Sequence, residues 1–585
     1  MLFSRQGRHF LIVPLLVVWI TTPLNAQPKN YFVSPNGNNS NSGLTAAVPF
    51  VSINKAIEKS EAGDTVFLLP GVYKEIIKIE RKKGLPEKPI CIFGFSNNSE
   101  NFSVLDGGAI KPSMDITNDW IHIRSSEWIE IGKIKFINGW TYPIQIINSS
   151  YISFNKCFFV GGRRVISATG LSTHHILVEN CFWDQGGDYL WRIEKDDSGM
   201  DSWTSMHHGS MTYFNGSLID FNSTGGSIII RKNTIVNAFN AIRYRGKKGC
   251  DSNVEIYDNH ISNIRDNDFE PEYYTFNLHI YHNFSHNIHK TVSVDNVEGG
   301  QIYYYGNVVT ADSDAWSKKI CTGIWKLYGT ERKLTFPMYA FNNSFFTAGT
   351  AFSDMHGKAM FLKHFNNAYF FFGGNNWDLK EWNSSDVFDY DVSNKPWPLN
   401  IEENRQEANG SIADIKFSDP WKRNLKLQSG SPGIDAGKIM SFRKFDWKQS
   451  YDGKAPDIGA YENGKLVDGP PFRFMVEPGS KINYKERPRI VRHQIVDNQI
   501  IVYFSCPIDE STVTQKLVSL YIDDKIIPVE SVSFPKNDYQ MVIKTKSVQS
   551  GSNVSIFFDR LPKGENGEPV TYWASEINVH KYSIQ

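Results

Sequence analysis

"VEIYDNHIS" (residues 254–262), "LHIYHNFSH" (278–286) and "IYYYGNVV" (302–309) repeat one pattern: a short β-rich run, an asparagine, then a small or apolar residue. Asn259, Asn283 and Asn307 are evenly spaced along the chain. The frame extends upstream through "ILVENCFW" (176–183) and "IIIRKNTIV" (228–236), and downstream through "YAFNNSFF" (339–346) and "KHFNNAYF" (363–370). It adds Asn180, Asn233, Asn343 and Asn367. Asn343 and Asn367 stand apart by the same interval, and Asn233 precedes Asn259 by nearly the same one. Only the steps from Asn180 to Asn233 and from Asn307 to Asn343 are clearly longer. "ISFNKCFF" (152–159) fits one repeat earlier, with Lys156 at the asparagine place and Cys157 the same interval before Cys181.

A unit of about 24 residues, with two or three short strands and no helical period, is what one coil of a parallel β-helix requires. Equivalent residues then stack at strand spacing, roughly 4.8 Å. A recurring asparagine becomes an amide ladder that satisfies buried polar groups across a turn. A propeller or sandwich has no reason to repeat this interval, so the sequence predicts an all-β, single-stranded parallel β-helix; its right-handed sense is what the family resemblance below implies. Cys157 and Cys181 are expected as stacked buried thiols rather than a disulfide.

Length and charge agree. At 585 residues the chain exceeds one ordinary core. Lys plus Arg and Asp plus Glu balance at 62 each, which argues against a general nucleic-acid binder. Arg5 and Arg8 precede "FLIVPLLVVWI" (10–20) and "LNA" (24–26), so residues 1–26 read as a secretory signal peptide. No later apolar run reaches about 18 residues, so no membrane span is expected. The expected product is a secreted or periplasmic monomer. Six cysteines are scattered without CxxC spacing and demand no disulfide framework.

The ends complete the picture. "FVSINKAIEKSEAGDTVFLLPGVYKE" (50–75) reads as an amphipathic helix, a Gly-Asp turn and a first strand. Together with "YFVSPNGNNSNSGL" (31–44) it resembles the N-terminal cap and first coil of secreted right-handed β-helix proteins of the pectate-lyase-like superfamily. "SPGIDAG" (431–437) and "PDIGAYE" (456–462) resemble the closing segment of such solenoids. The resemblance implies a carbohydrate-active protein over residues 27–465. It leaves the chemistry open, because the superfamily hosts lyases, hydrolases, epimerases and adhesins. From "QIIVYFSCPID" (499–509) to "NVSIFFDRL" (553–561) alternating strands predict an Ig-like sandwich over 466–585.

"IRDNDFEPEYY" (264–274) sets Asp266, Asp268, Glu270 and Glu272 close together. Counting from the asparagines and turning Ile242, Phe269 and Val292 inward puts Arg243, Glu270 and Ser293 in one outer column. Arg245, Glu272 and Asp295 form the next. Lys290 lies just ahead of that column, and His279, His282, His286 and His289 crowd the same coil. The long gap before Asn233 leaves an insertion, "EKDDSGMDSWTSMHHGSMTYF" (194–214), whose Trp203, His207 and His208 suit a wall over a sugar cleft.

Two chemistries compete for this cluster. A lyase acting on a uronate must neutralise the sugar carboxylate and remove the C5 proton. Calcium held by Asp266, Asp268, Glu270, Glu272 and Asp295 would do the first, and Lys290 would be the base. Arg243 and Arg245 would pair with substrate carboxylates. A glycoside hydrolase would instead pair Glu270 with Asp268 or Asp295 as acid and base. A third reading is a non-catalytic, glycan-binding solenoid.

Overall fold

The computed structural model describes residues 27–85, 88–95, 102–109, 119–186, 194–246, 252–294, 297–314, 323–326, 334, 336–353, 361–373, 385–397, 406–445, 447–472, 490–504, 507–522, 525–534, 540–546, 548, 554–558, 562–563 and 578–581. Successive coils contribute parallel strands to three faces, here called A, B and C in chain order. Face A stacks thirteen strands, from Asn30–Val33 to Val387–Asp389. On the coils His260–Glu272 and Phe284–Ser293 one long strand serves both B and C.

The register is coil on coil. On face A, Ile230 pairs with Ile256, then Ile280, Tyr304 and Ala340, all turned into one continuous apolar interior. The N-terminal end is closed by α1 (Ile53–Lys59), capped by the Ser52 hydroxyl and burying Ile53, Ala56 and Ile57. This is the helix expected from its apolar spacing. Among the described residues, no helix is long and apolar enough to cross a membrane.

The asparagine ladder runs along the corner between A and B. Each amide donates to the next oxygen: Asn233 to Asn259 at 3.0 Å, Asn259 to Asn283 at 2.9 Å, Asn283 to Asn307 at 3.0 Å. Asn307, Asn343 and Asn367 continue it, and Asp391 ends it by accepting from Asn367 at 3.0 Å. Upstream the structure shifts the expected frame by one residue. Phe182 pairs with Thr234, so Cys181 rather than Asn180 fills the ladder slot, and Cys157 fills it one coil earlier. Both thiols are free and buried. Asn180 is the residue before the slot, at φ 54°, in a column of left-handed residues with Lys156, Lys232, Asp258 and His282. Both columns accept asparagine, one for its amide and the other for its tolerance of positive φ.

The described strands of the solenoid end at Ser411–Ile412. Residues 415–445 and 447–467 then return along its outside as a strap. Asn342 Nδ2 donates to the Asp457 and Gly459 carbonyls at 2.9 and 3.2 Å, and Asn366 exchanges two 2.7 Å bonds with Lys438. Gly459, at φ 110°, passes so close to Ser344 that a β-carbon would lie 2.7 Å from its hydroxyl. Ile415, Phe417, Leu425 and Ile458 cover the outside of face B at Val308, Phe346 and Ala368. Beyond the strap, Ile490–Val496, Gln499–Phe504, Gln540–Thr545 and Val529–Ser533 form one four-stranded sheet. Lys525–Ile527, Val518–Ile522, Val554–Phe558 and Asn578–Lys581 form a second. Val502, Phe504, Leu520, Ile543 and Ile556 from the two sheets share one core.

The two asparagine columns should respond differently to substitution. Asn283→Ala leaves the Asn259 backbone N–H without its acceptor, takes one partner each from the Asn259 amide and the Asn307 oxygen, and frees the Ile256 and Tyr281 carbonyls, and is expected to cost on the order of 3 kcal/mol in chemical denaturation. Asn180→Gly, at a left-handed position outside the ladder, should change stability by less than about 0.5 kcal/mol.

Candidate active site

Face C carries the acidic run. Residue by residue, Asp220 pairs with Arg243, and Arg243 with Glu270. Phe269 opposite Val292 brings Ser293 next, and Ser293 pairs with Lys326. Arg245 stands opposite Glu272. This is the register expected from the sequence, extended by one coil at each end.

The carboxylates of the run go separate ways, because the strand His260–Glu272 bends from face B to face C with an irregularity between Ile264 and Asn267. Asp266 faces outward, beneath the insertion. There α2 (Ser202–His208) is moored by Arg265, whose Nε and Nη2 donate to Ser202 Oγ at 3.2 and 2.9 Å. Trp203 Nε1 donates to Asp266 Oδ1 at 3.1 Å, and His207 Nε2 lies 3.6 Å from Asp266 Oδ2. Asp268 turns inward instead. It is fully buried near Ser285 and Tyr304, and desolvation pushes its carboxyl well above the usual range. The expectation of Asp268 as an outward acid or metal ligand is therefore corrected, since the bend breaks strand alternation at this residue.

Glu270 is held from both sides. Arg243 Nε forms an ion pair with its Oε2, and Asn267 Nδ2 donates to Oε1 at 2.6 Å. Arg243 also donates to Asn215 Oδ1 at 3.1 Å. Burial alone would lower this guanidinium, but the charges of Glu270 and Asp220 carry it above its ordinary value. Glu272 has no such clamp. Burial, then the neighbouring Glu270 charge, push its carboxyl up to about 8 against the pull of Arg243, Lys326 and Arg245. Burial also lowers His207, outweighing the attraction of Asp266, while Lys326 adds to the drop.

Beside Arg245 a cleft of about 270 Å³ opens, lined by Tyr142, Arg164, Asp220 and Asn222 among others. Asp220 binds Arg164 Nε at 2.8 Å and Arg245 Nη2 at 3.2 Å, and Arg164 donates to the Tyr142 hydroxyl at 2.8 Å.

The structure thus gathers Arg243, Arg245, Asp266, Glu270, Glu272, Trp203 and His207 at one corner. Lys290 sits opposite Asn267 on the following coil and is only 5% exposed. His208 is exposed beside His207, their rings 5.5 Å apart. Asp295 lies outside the described residues. Three histidines of the next coil disperse: His279 is buried, His282 binds the Val467 carbonyl and His286 pairs with Asp312, whereas His289 stays at the site, its ring 6.1 Å from Trp203. Among the described residues no three His, Cys, Asp or Glu side chains group to hold a metal ion. Asp266 and Glu270 are engaged by their own partners and Asp268 is in the core, so these three of the expected calcium ligands do not converge. Sequence reasoning missed Arg164, Asp220, Asn215 and Lys326. The irregular gaps before Asn233 and Asn343 hid the coils that carry Asn215, Asp220 and Lys326, and with them the partner of Arg164.

No protein-family model and no curated protein matches the chain. Solved structures similar to it include a pectate lyase, Pel9A, at 15% identity and TM-score 0.31, covering 74% of this chain and 96% of that one. A PL6 family alginate lyase, AlyGC, is 12% identical with TM-score 0.43, covering 68% and 55%. A GH136 lacto-N-biosidase from Eubacterium ramulus is 10% identical with TM-score 0.31, covering 52% and 67%. Lyases and glycosidases stand side by side at these values, so the β-helix assignment rests on the strand ladders themselves and the likeness selects no reaction.

Proposed function

We propose that the protein is an exported polysaccharide-degrading enzyme that cleaves a uronic-acid-containing glycan by β-elimination on face C. The observation that carries this reading is the file of cations on that face. Arg164, Arg243, Arg245 and Lys326 lie around Asp220 and Glu270, and two of them line the cleft. With Glu272 keeping its proton at neutral pH, positive side chains outnumber negative ones there, which suits a sugar carboxylate.

In this reading Arg164 and Arg245 hold the uronate carboxylate, and neutralising it makes the C5 proton acidic. Lys290 takes that proton. The electron pair forms the C4–C5 double bond as the C4–O bond breaks, and Glu272 donates its proton to the departing oxygen. Arg243 and Asn267 fix Glu270, whose charge helps to keep Glu272 protonated. Trp203 and His207 form the wall above. No step passes through calcium, since three of its expected ligands do not converge.

A hydrolytic reading has one observation in its favour. Glu272, protonated, and Glu270, ion-paired, stand two residues apart on one strand, as an acid and a base or nucleophile do. The products decide between the two. Purified protein incubated with uronic-acid and neutral polysaccharides is expected to release unsaturated, ultraviolet-absorbing ends from a uronic-acid polymer, equally with and without a chelator. New reducing ends without that absorbance would transfer the site to a hydrolase.

Two variants sharpen the roles. Lys290→Ala should lose at least about a hundredfold in kcat if it is the base, whereas a hydrolase would keep most of its activity. The Glu272 carboxyl is raised from its ordinary value to about 8, so the acid form is present below that pH and lost above it. Activity should fall as pH rises through about 8, and the low residual rate of Glu272→Gln should lack this alkaline limb.

A further inference from the structure

Face B, next to the site on face C, presents aromatic rings that the proposed reaction does not use. Its outward column runs Phe158, Phe182, Thr234, His260, Phe284 and Val308, one residue per coil. The three phenylalanines are half-buried and His260 is exposed. Phe158 and Phe182 lie 6.2 Å apart, and His260 stacks on Phe284 at 5.3 Å with the rings within 10° of parallel. From Val308 onward the strap covers this face, and Phe284 packs at the edge of the covered patch.

Where the strap ends, a cavity of about 280 Å³ opens, lined by His260, Phe284, His286, Thr310 and Arg423 among others. His286 is buried and fixed, with Nδ1 2.9 Å from Thr310 Oγ1 and Nε2 3.2 Å from Asp312 Oδ1. Arg423 overlooks the cavity from the strap turn at φ 65°. Its guanidinium is exposed, and its charge helps to lower both the Asp312 carboxyl and His286. On the same turn Trp421 is 54% exposed.

We infer that face B is a second glycan-binding surface, on which the apolar faces of successive sugar rings lie on Phe158, Phe182, His260 and Phe284 and an anionic sugar group meets Arg423. A saccharide ring offers a flat C–H face and a polar rim. The file of rings supplies the first contact, and the cavity, with the exposed Arg423 guanidinium at its edge, supplies the second. The repeat of the rings along the axis suits a ligand that itself repeats, which a polysaccharide does and a small metabolite does not. The inference takes the class of ligand from the reading above, but its residues and its face are separate.

The test uses full-length Glu272→Gln protein, whose low residual rate leaves the polymer essentially intact during a binding measurement, and polygalacturonate, alginate and glucuronan as probes. Arg423→Glu and Phe182→Ala should each weaken binding of the bound polymer at least fivefold. The same two changes in the active protein should raise KM for the polymer while leaving turnover of a tetrasaccharide unchanged. Arg423 is exposed, so its substitution tests the surface even where Phe182→Ala fails to fold. Unchanged polymer affinity in Arg423→Glu, or no binding of any of the three polymers, would overturn the inference. So would a concentration-dependent dimer, seen by sedimentation, that Phe182→Ala abolishes, since the occupant would then be a second copy of this chain. If no glycan yields products yet binding depends on Arg423, the reading of face C fails and that of face B stands.

Discussion

The corner between faces A and B governs the molecule. The Asn283 amide donates to the oxygen of the next coil and to the carbonyls of Tyr281 and Ile256, and its oxygen accepts the backbone N–H and the amide of Asn259 on the coil before, so both ends of the side chain are tied to neighbouring coils. The corner therefore keeps one length on every coil: a left-handed residue and the ladder residue separate the strands at Glu179 and Phe182, Tyr257 and His260, Tyr281 and Phe284, and Phe341 and Ser344. Insertions are confined to the other corners. The one carrying α2 leaves between B and C, and so it lands beside the acidic run.

Because the coils cannot slip, charges on face C are set in fixed files, and each carboxyl of the run has its own remedy. Glu270 takes a guanidinium and Asp266 an indole N–H with an imidazole near by. Asp268 goes into the core, where desolvation favours its neutral form, and Glu272 keeps its proton beside an already charged neighbour. Crowding four acids does not by itself imply a cation. It produces carboxyls of different protonation within one strand, which is the asymmetry that acid–base chemistry uses.

The constant interval between asparagines was enough to read the fold, and the apolar residues Ile242, Phe269 and Val292 were enough to place Arg243 against Glu270 and Arg245 against Glu272. Three things lay beyond that reading. The one-residue shift at Asn180 escaped because the turn and the ladder favour the same amino acid, as "FNN" at 341–343 and 365–367 illustrates. The inward turn of Asp268 escaped because alternation holds only along an unbroken strand. Arg164, Asp220 and Lys326 escaped because contacts across unequal gaps leave no periodic trace. A further file of amides, Asn237, Asn263 and Asn287, joined at 2.9 and 3.3 Å, was hidden among residues that alone look like loop asparagines.

The strap has a consequence for the order in which the chain acquires its structure. Early coils touch mainly their immediate neighbours and can be laid down one after another as the chain emerges. The coils around Asn342 and Asn366 are joined to residues 115 and 72 positions further on. They stay unlatched until Lys438 and Asp457 are available, so the C-terminal third is completed only after the chain has passed its strap, and the rod matures from its capped end toward its fastened one.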